Sequence, residues 1–113
     1  MCGLTVFYNI PKLNNKTNEL YEYIKNRGPD KKIIKKYDNL SCLFSRLAIQ
    51  DLSKNGDQPI LSHSKKLLML FNGEIYNHLS LRSKINDKSP NKLWKGTSDS
   101  ETLVESFDLF GIY

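Results

Sequence analysis

The sequence predicts a small α+β domain, and three stretches carry that prediction. Leu4 to Ile10 (Leu-Thr-Val-Phe-Tyr-Asn-Ile) is rich in β-branched and aromatic residues and is closed by Pro11, which is the make-up of a strand. Asn39 to Ile49 alternates Leu40, Cys42, Phe44, Arg46 and Ala48 on one face with Leu43, Ser45, Leu47 and Ile49 on the other, the period of two that a strand requires. Ser100 to Phe110 puts Leu103, Val104, Phe107 and Phe110 on one stripe, the spacing of an amphipathic helix.

The remaining elements fall between these. Asn18 to Lys25 carries Leu20, Tyr21 and Ile24 at helical spacing, with Thr17 or Asn18 as its cap and Arg27-Gly28-Pro29-Asp30 as its end. Ile33 to Tyr37 reads as a short strand. Lys54-Asn55-Gly56-Asp57 is a turn. Leu67 to Phe71 is a continuous apolar strand that runs into Asn72-Gly73. His78 to Ile85 reads as a short helix, and Asn86 to Lys95 as a polar loop. The order is strand, helix, two or three strands, helix, helix. An N-terminal strand beside two others leaves apolar edges that proteins usually cover.

Composition narrows the classes. The 113 residues suit one domain, and 39% hydrophobic with 26% charged residues describes a soluble globular chain rather than a disordered one. No apolar run approaches the roughly 20 residues that span a membrane. A basic stretch followed by an apolar one is missing at the start, so no signal peptide is expected. Two cysteines, Cys2 and Cys42, make no disulfide framework, and a reducing cytoplasm is the expected compartment. The net charge of +5 comes from dispersed lysines (Lys31, Lys32, Lys35, Lys36, Lys65, Lys66, Lys84, Lys88). They read as solvated surface; the alternative, a nucleic-acid patch, would show steep salt dependence.

Several residues bear chemistry. Met1-Cys2-Gly3 places a cysteine directly behind the initiator, where a small side chain favours removal of Met1. The N-terminal residue would then carry a thiol and an α-amine together, a nucleophile with its own general base. The alternative is an inert cysteine near a start. Asn72-Gly73-Glu74 follows a strand: it reads as a hairpin turn or as an oxyanion hole built from the Asn72 amide and the Gly73 N–H. Arg46 lies among apolar neighbours, so it sits in an internal ion pair, on an exposed edge, or on a substrate carboxylate, for which its planar fork is suited. Ser98 and Glu101 match a capping box at the last helix, and such a cap would also hold the Asp99 carboxylate toward a ligand ammonium. His63 and His78 have no metal-ligand spacing around them, and no metal site is expected.

Taken together, six segments carry a resemblance. Met1-Cys2-Gly3, Arg27-Gly28-Pro29-Asp30, Ser45-Arg46-Leu47-Ala48-Ile49, Gly56-Asp57-Gln58-Pro59, Phe71-Asn72-Gly73-Glu74-Ile75-Tyr76-Asn77 and Gly96-Thr97-Ser98-Asp99-Ser100-Glu101 stand in the order and approximate spacing of the class II glutamine amidotransferase domain. The branch they resemble most is that of the glutamine-hydrolysing asparagine synthetases. Each motif alone is common; six in register are specific.

The resemblance implies an N-terminal-nucleophile hydrolase fold, a four-layer αββα sandwich. It implies Cys2 as nucleophile, with Asn72 and Gly73 holding the oxyanion. Arg46 would take the glutamine α-carboxylate, Glu74 and Asp99 its α-ammonium, and Leu47, Ala48, Ile49 and Gln50 would line the pocket. No cofactor serves the glutaminase half. ATP and magnesium would belong to a synthetase domain or subunit that uses the ammonia to amidate aspartate. Glutamine is the expected partner, a homodimer is one assembly left open, and neither nucleic acid nor membrane is expected. Two departures are visible. Asn26 stands where the family often has histidine, and members continue well past this length. Residues 1–113 therefore read as the N-terminal part of the domain, with part of both sheets and the synthetase domain absent. Two alternatives stay open: a non-catalytic fragment or interaction module of the same fold, and a relative that amidates another carboxylate.

Overall fold

The computed structural model describes residues 1–112. They form an α+β arrangement of two small sheets with three α-helices, in two units that are taken in turn. The first holds Met1–Ala48 with Leu70–Asn72; the second holds Ile49–Met69 and the residues from Gly73 onward.

The first unit is built on a three-stranded antiparallel sheet. Strand β1 (Gly3–Tyr8) and strand β2 (Lys31–Lys36) flank the central strand β3 (Leu40–Arg46). Register runs from Gly3 opposite Ser45 to Tyr8 opposite Leu40, and from Lys31 opposite Arg46 to Lys36 opposite Ser41. A tight turn joins β2 to β3, closed by the Tyr37 N–H donating to the Leu40 carbonyl at 2.7 Å. The central strand is buried on both faces: every residue from Ser41 to Arg46 is buried. Leu43 and Phe44, fully enclosed, each contribute about 2 kcal/mol of burial. Alternation on β1 leaves Leu4, Val6 and Tyr8 exposed. Strand β2 lies at a sheet edge and is closed to further pairing by four exposed lysines, a common protection of edges.

Helix α1 (Thr17–Tyr21) buries Thr17 and Tyr21, one turn apart, and lies against β3. It is shorter than the eight residues expected. The apolar spacing through Ile24 is kept, but the chain tightens. Glu22, Tyr23, Ile24 and Arg27 N–H groups all donate three residues back, which is 3₁₀ rather than α geometry. The cap also differs: Lys16 occupies the N-cap without a side-chain bond, and Thr17 is already inside the helix.

The second unit contains a two-stranded sheet and two helices. Strands β4 (Ile60–Leu61) and β5 (Leu68–Met69) pair Ile60 with Met69 and Leu61 with Leu68. The expected strand over Leu67–Phe71 is thus two residues long, and its partner had no sequence signal. The expected turn at Lys54–Asp57 is a 3₁₀ turn over Lys54–Gly56, capped by the Ser53 hydroxyl accepting the Asn55 N–H. Helix α2 (His78–Lys88) runs one turn beyond Ile85, and helix α3 (Asp99–Phe110) begins one residue before Ser100. The helices pack on each other, and Ile85 of α2 and Val104 of α3 are fully buried. Gly111 ends α3 with φ 86°, a left-handed value that favours glycine.

Candidate active site

Cys2 stands at the entry to β1, beside the end of β3. Its Sγ accepts the Leu47 N–H at 3.3 Å and lies 3.6 Å from the Leu47 carbonyl oxygen, so the backbone donor and acceptor of one residue both meet the thiol. The next residue is fixed as well. Gly3 N–H donates to Ser45 Oγ at 3.1 Å, and that hydroxyl donates to the Ile24 carbonyl at 2.7 Å. Ser45 therefore ties the start of β1 to the segment after α1.

That segment leads into Arg27-Gly28-Pro29-Asp30, and three of its residues grip the same corner. Arg27 Nε donates to the Cys2 carbonyl at 3.3 Å. Gly28 lies flat on β3: a Cβ there would come within 2.2 Å of the Ser45 carbonyl oxygen. Asp30 donates its N–H to the Arg46 carbonyl at 3.0 Å, and its carboxylate accepts the Ala48 N–H at 2.8 Å. The backbone from Ser45 to Ala48 is thus held on one side by Cys2 and on the other by Gly28 and Asp30. Arg46 itself is only 6% exposed, which excludes the exposed-edge reading. Asn72 is exposed. Cys42, by contrast with Cys2, is fully buried, and burial pushes its thiol up from the ordinary range.

The second unit carries Asp99 at the first turn of α3. The Ser98 hydroxyl accepts the Glu101 N–H at 3.2 Å, so the cap expected from sequence is present. Its reciprocal half is not. The Glu101 carboxylate reaches past the cap to accept the Lys95 and Gly96 N–H groups at 2.8 and 2.9 Å. Asp99 is buried, and its Oδ2 accepts the Ile75 N–H at 2.9 Å. That bond ties the Gly73-Glu74 segment, both residues exposed, to the start of α3. Gln50 Oε1 accepts the Asp99 N–H at 3.3 Å, while Ile49 is exposed. Asn72-Gly73 is not a hairpin: β5 has already ended at Met69, and α2 starts at His78.

Behind Asp99 lies a polar hub. Arg82 Nε donates to Thr102 Oγ1 at 3.0 Å, Nη1 to the Gly96 carbonyl at 2.9 Å and Nη2 to the Ser98 carbonyl at 3.2 Å. Its guanidinium stacks 3.9 Å from the centre of the Trp94 ring and lies 3.7 Å from Glu101. Burial lowers the Arg82 guanidinium from its ordinary value, and Glu101 and Asp51 oppose that shift. Asp51 completes the frame by accepting the Thr97 N–H at 2.9 Å.

Comparison with known proteins bears on what these halves belong to. The family model described as "Glutamine amidotransferase domain" matches residues 1–112. The chain belongs to the glutamine amidotransferase domain family. Its relatives include asparagine synthetase [glutamine-hydrolyzing] 2 of Bacillus subtilis, 33% identical over 99% of this chain and 15% of that protein. The asparagine synthetase [glutamine-hydrolyzing] of Triphysaria versicolor is 34% identical over 82% of the chain and 15% of its own length. A counterpart in Oryza sativa subsp. japonica is 29% identical over 98% of the chain and 19% of its own length. The chain thus spans less than a fifth of the length of these relatives.

Within the amidotransferase domain, the structure brings Cys2, Arg46, Leu47 and Ala48 to one corner of the first sheet. It brings Gln50, Asp99 and the segment after Glu74 together in the second unit. Sequence reading assigned no role to Arg27, Asp30, Ser45, Asp51 or Arg82. The Arg27-Gly28-Pro29-Asp30 run was visible as a motif, and its work is backbone bonding, which residue type alone does not reveal. His63 is exposed, and His78 Nδ1 is buried without a hydrogen-bond partner among the described residues. No group of three His, Cys, Asp or Glu side chains among the described residues can hold a metal ion, and none of the helices is long and apolar enough to cross a membrane.

Proposed function

We propose that this chain is the glutamine-hydrolysing part of an asparagine-synthetase-type enzyme, with Cys2 as its N-terminal nucleophile. The observation that carries the reading is the Cys2 thiol, at the start of β1, held on the Leu47 backbone N–H and carbonyl, in a chain matched along its length by an amidotransferase family. Met1 is 71% exposed, open to the aminopeptidase that would free the Cys2 amine. The amine takes the thiol proton, and the sulfur attacks the side-chain amide carbon of glutamine. The carbon–nitrogen bond breaks and ammonia leaves with that proton. Water then cleaves the thioester to give glutamate and the free thiol.

Around that step, the Asn72 side chain and the Gly73 N–H take the oxyanion. Arg46 pairs with the α-carboxylate, and Glu74 and Asp99 with the α-ammonium, because free glutamine is a zwitterion that needs both signs around a thiol. Leu47, Ala48, Ile49 and Gln50 line the pocket. The fold we propose is the αββα sandwich of N-terminal-nucleophile hydrolases. Support comes from β1, whose outward Leu4, Val6 and Tyr8 are exposed in a chain much shorter than its relatives. The ammonia would pass to ATP- and magnesium-dependent amidation of aspartate in a synthetase part, in the cytoplasm. The test is glutamate release from glutamine by the purified protein. Release that vanishes in Cys2→Ala supports the reading; equal release by Cys2→Ala overturns it.

A further inference from the structure

We propose that Arg82 is a positioning residue for Asp99, and through it sets the site's preference for a ligand that carries an α-ammonium. The proposal rests on the reading that Asp99 meets that ammonium. The peptide group joining Ser98 to Asp99 is held at both ends. Arg82 Nη2 donates to its carbonyl at 3.2 Å, and Gln50 Oε1 accepts its N–H at 3.3 Å. The same guanidinium holds the loop before it through the Gly96 carbonyl at 2.9 Å and the helix after it through Thr102 Oγ1 at 3.0 Å. One rigid planar group therefore spans residues 96 to 102 and fixes the rotation of the first turn of α3.

The charges explain why an arginine stands here. Glu101 accepts the Lys95 and Gly96 N–H groups and faces Arg82 at 3.7 Å. That carboxylate is thereby engaged with one cation and two amide donors, whereas Asp99 accepts the Ile75 N–H and the Ser100 hydroxyl, neutral donors that leave its charge for an ammonium. Trp94 backs the guanidinium at 3.9 Å and closes one face of the fork. A lysine would keep the charge, but a single ammonium cannot reach three acceptors in one plane.

The experiment measures binding by calorimetry in the Cys2→Ala protein, so that turnover does not interfere. Two ligands are compared: glutamine, and 4-carbamoylbutanoate, which is glutamine without its α-amine. In the Asp99→Asn background the preference for glutamine should fall by about tenfold or more, the worth of a charged hydrogen bond. Arg82→Lys should reproduce most of that fall with little change in the affinity for 4-carbamoylbutanoate. Arg82→Lys added to Asp99→Asn should add nothing to the fall, as expected of residues that act as one unit. Circular dichroism checks folding. Trp94→Leu, which removes the ring behind the guanidinium and its Nε1 bond to Asn86 Oδ1 but none of the three Arg82 bonds to the loop and helix, should show the same change on a smaller scale and serves if Arg82→Lys does not fold. An equal loss for both ligands in the Arg82 or Trp94 variant makes the role structural and overturns the proposal. So does an unchanged preference beside an altered Asp99→Asn, which leaves the reading of Asp99 standing. An unchanged preference in Asp99→Asn, or no glutamine binding in the parent, overturns that reading and this proposal with it.

Discussion

Replacing Gly28 by alanine should destabilise the protein by about 3 kcal/mol, the upper end of overpacking costs. The reason is space. Gly28 has φ −152° and ψ 83°, extended backbone open to any residue, so no conformational argument requires glycine. An added Cβ, however, would meet the Ser45 carbonyl oxygen at 2.2 Å, the Ser45 carbonyl carbon at 2.4 Å and the Arg46 carbonyl carbon at 2.5 Å. All three are backbone atoms of the central strand and cannot rotate away. Ordinary contact begins near 3.4 Å, so the segment or the strand must give by more than 1 Å. Gly3 supplies the comparison. A Cβ there meets the Ser45 hydroxyl oxygen at 2.6 Å and the Ile24 Cβ and carbonyl oxygen at 2.9 Å, looser contacts of which the tightest is to a side chain, and about half the cost is expected. Urea unfolding followed by circular dichroism measures both. For a domain of about 100 residues the Gly28 variant should also melt at least 10 °C lower. A Gly28→Ala protein within about 0.5 kcal/mol of wild type, or one more stable than Gly3→Ala, would refute the reasoning.

Three further outcomes follow from the same geometry. A thiol-alkylating reagent added to the native protein should label half-buried Cys2 and spare fully buried Cys42, with peptide mass mapping as the readout and both labelled in denaturant. Burial raises the Cys42 thiol and the Tyr21 and Tyr37 hydroxyls, so the folded state holds these protons more tightly than the unfolded one. Their stabilisation is full below the ordinary ranges and is lost as pH rises, so unfolding free energy should decline above about pH 8.5; Cys42→Ala should flatten the first part of that decline in urea melts. Glu101→Ala leaves the Lys95 and Gly96 N–H groups and the half-buried Arg82 without the Glu101 carboxylate, and should cost about 3 kcal/mol by thermal or chemical unfolding.

Strands β1 and β3 and helix α3 were legible because each carries its own period. Pro11 marks the close of the first and Ser98 and Gly111 bracket the helix, whereas the alternation of the second runs on to Ile49, three residues past the Arg46 at which β3 ends. The second sheet was not legible in length. Leu67 to Phe71 has the composition of a five-residue strand, but Ile60-Leu61 offers only two residues to pair with, and a partner that short has no period to read. Helix α2 outran its expected end because Asn86, Asp87 and Lys88 are polar and add nothing to the apolar stripe, while the Ser89 N–H still bonds back to Ile85. Helix α1 kept its apolar spacing but exchanged α for 3₁₀ bonds, a difference of one residue in each ring that side-chain type does not encode. In the proposed site, Cys2, Arg46 and Asp99 are the residues that chemistry alone singles out. Arg27, Asp30, Ser45 and Arg82 are not among them, because they act on carbonyls and N–H groups that every sequence possesses.

The most direct test of the central claim separates two forms of one protein by intact mass, with Met1 removed and with Met1 retained, and assays each for glutamate release. The account predicts release from the Met1-free form alone, because a retained Met1 locks the Cys2 nitrogen in a peptide bond and removes the base. Equal release from both forms would contradict it.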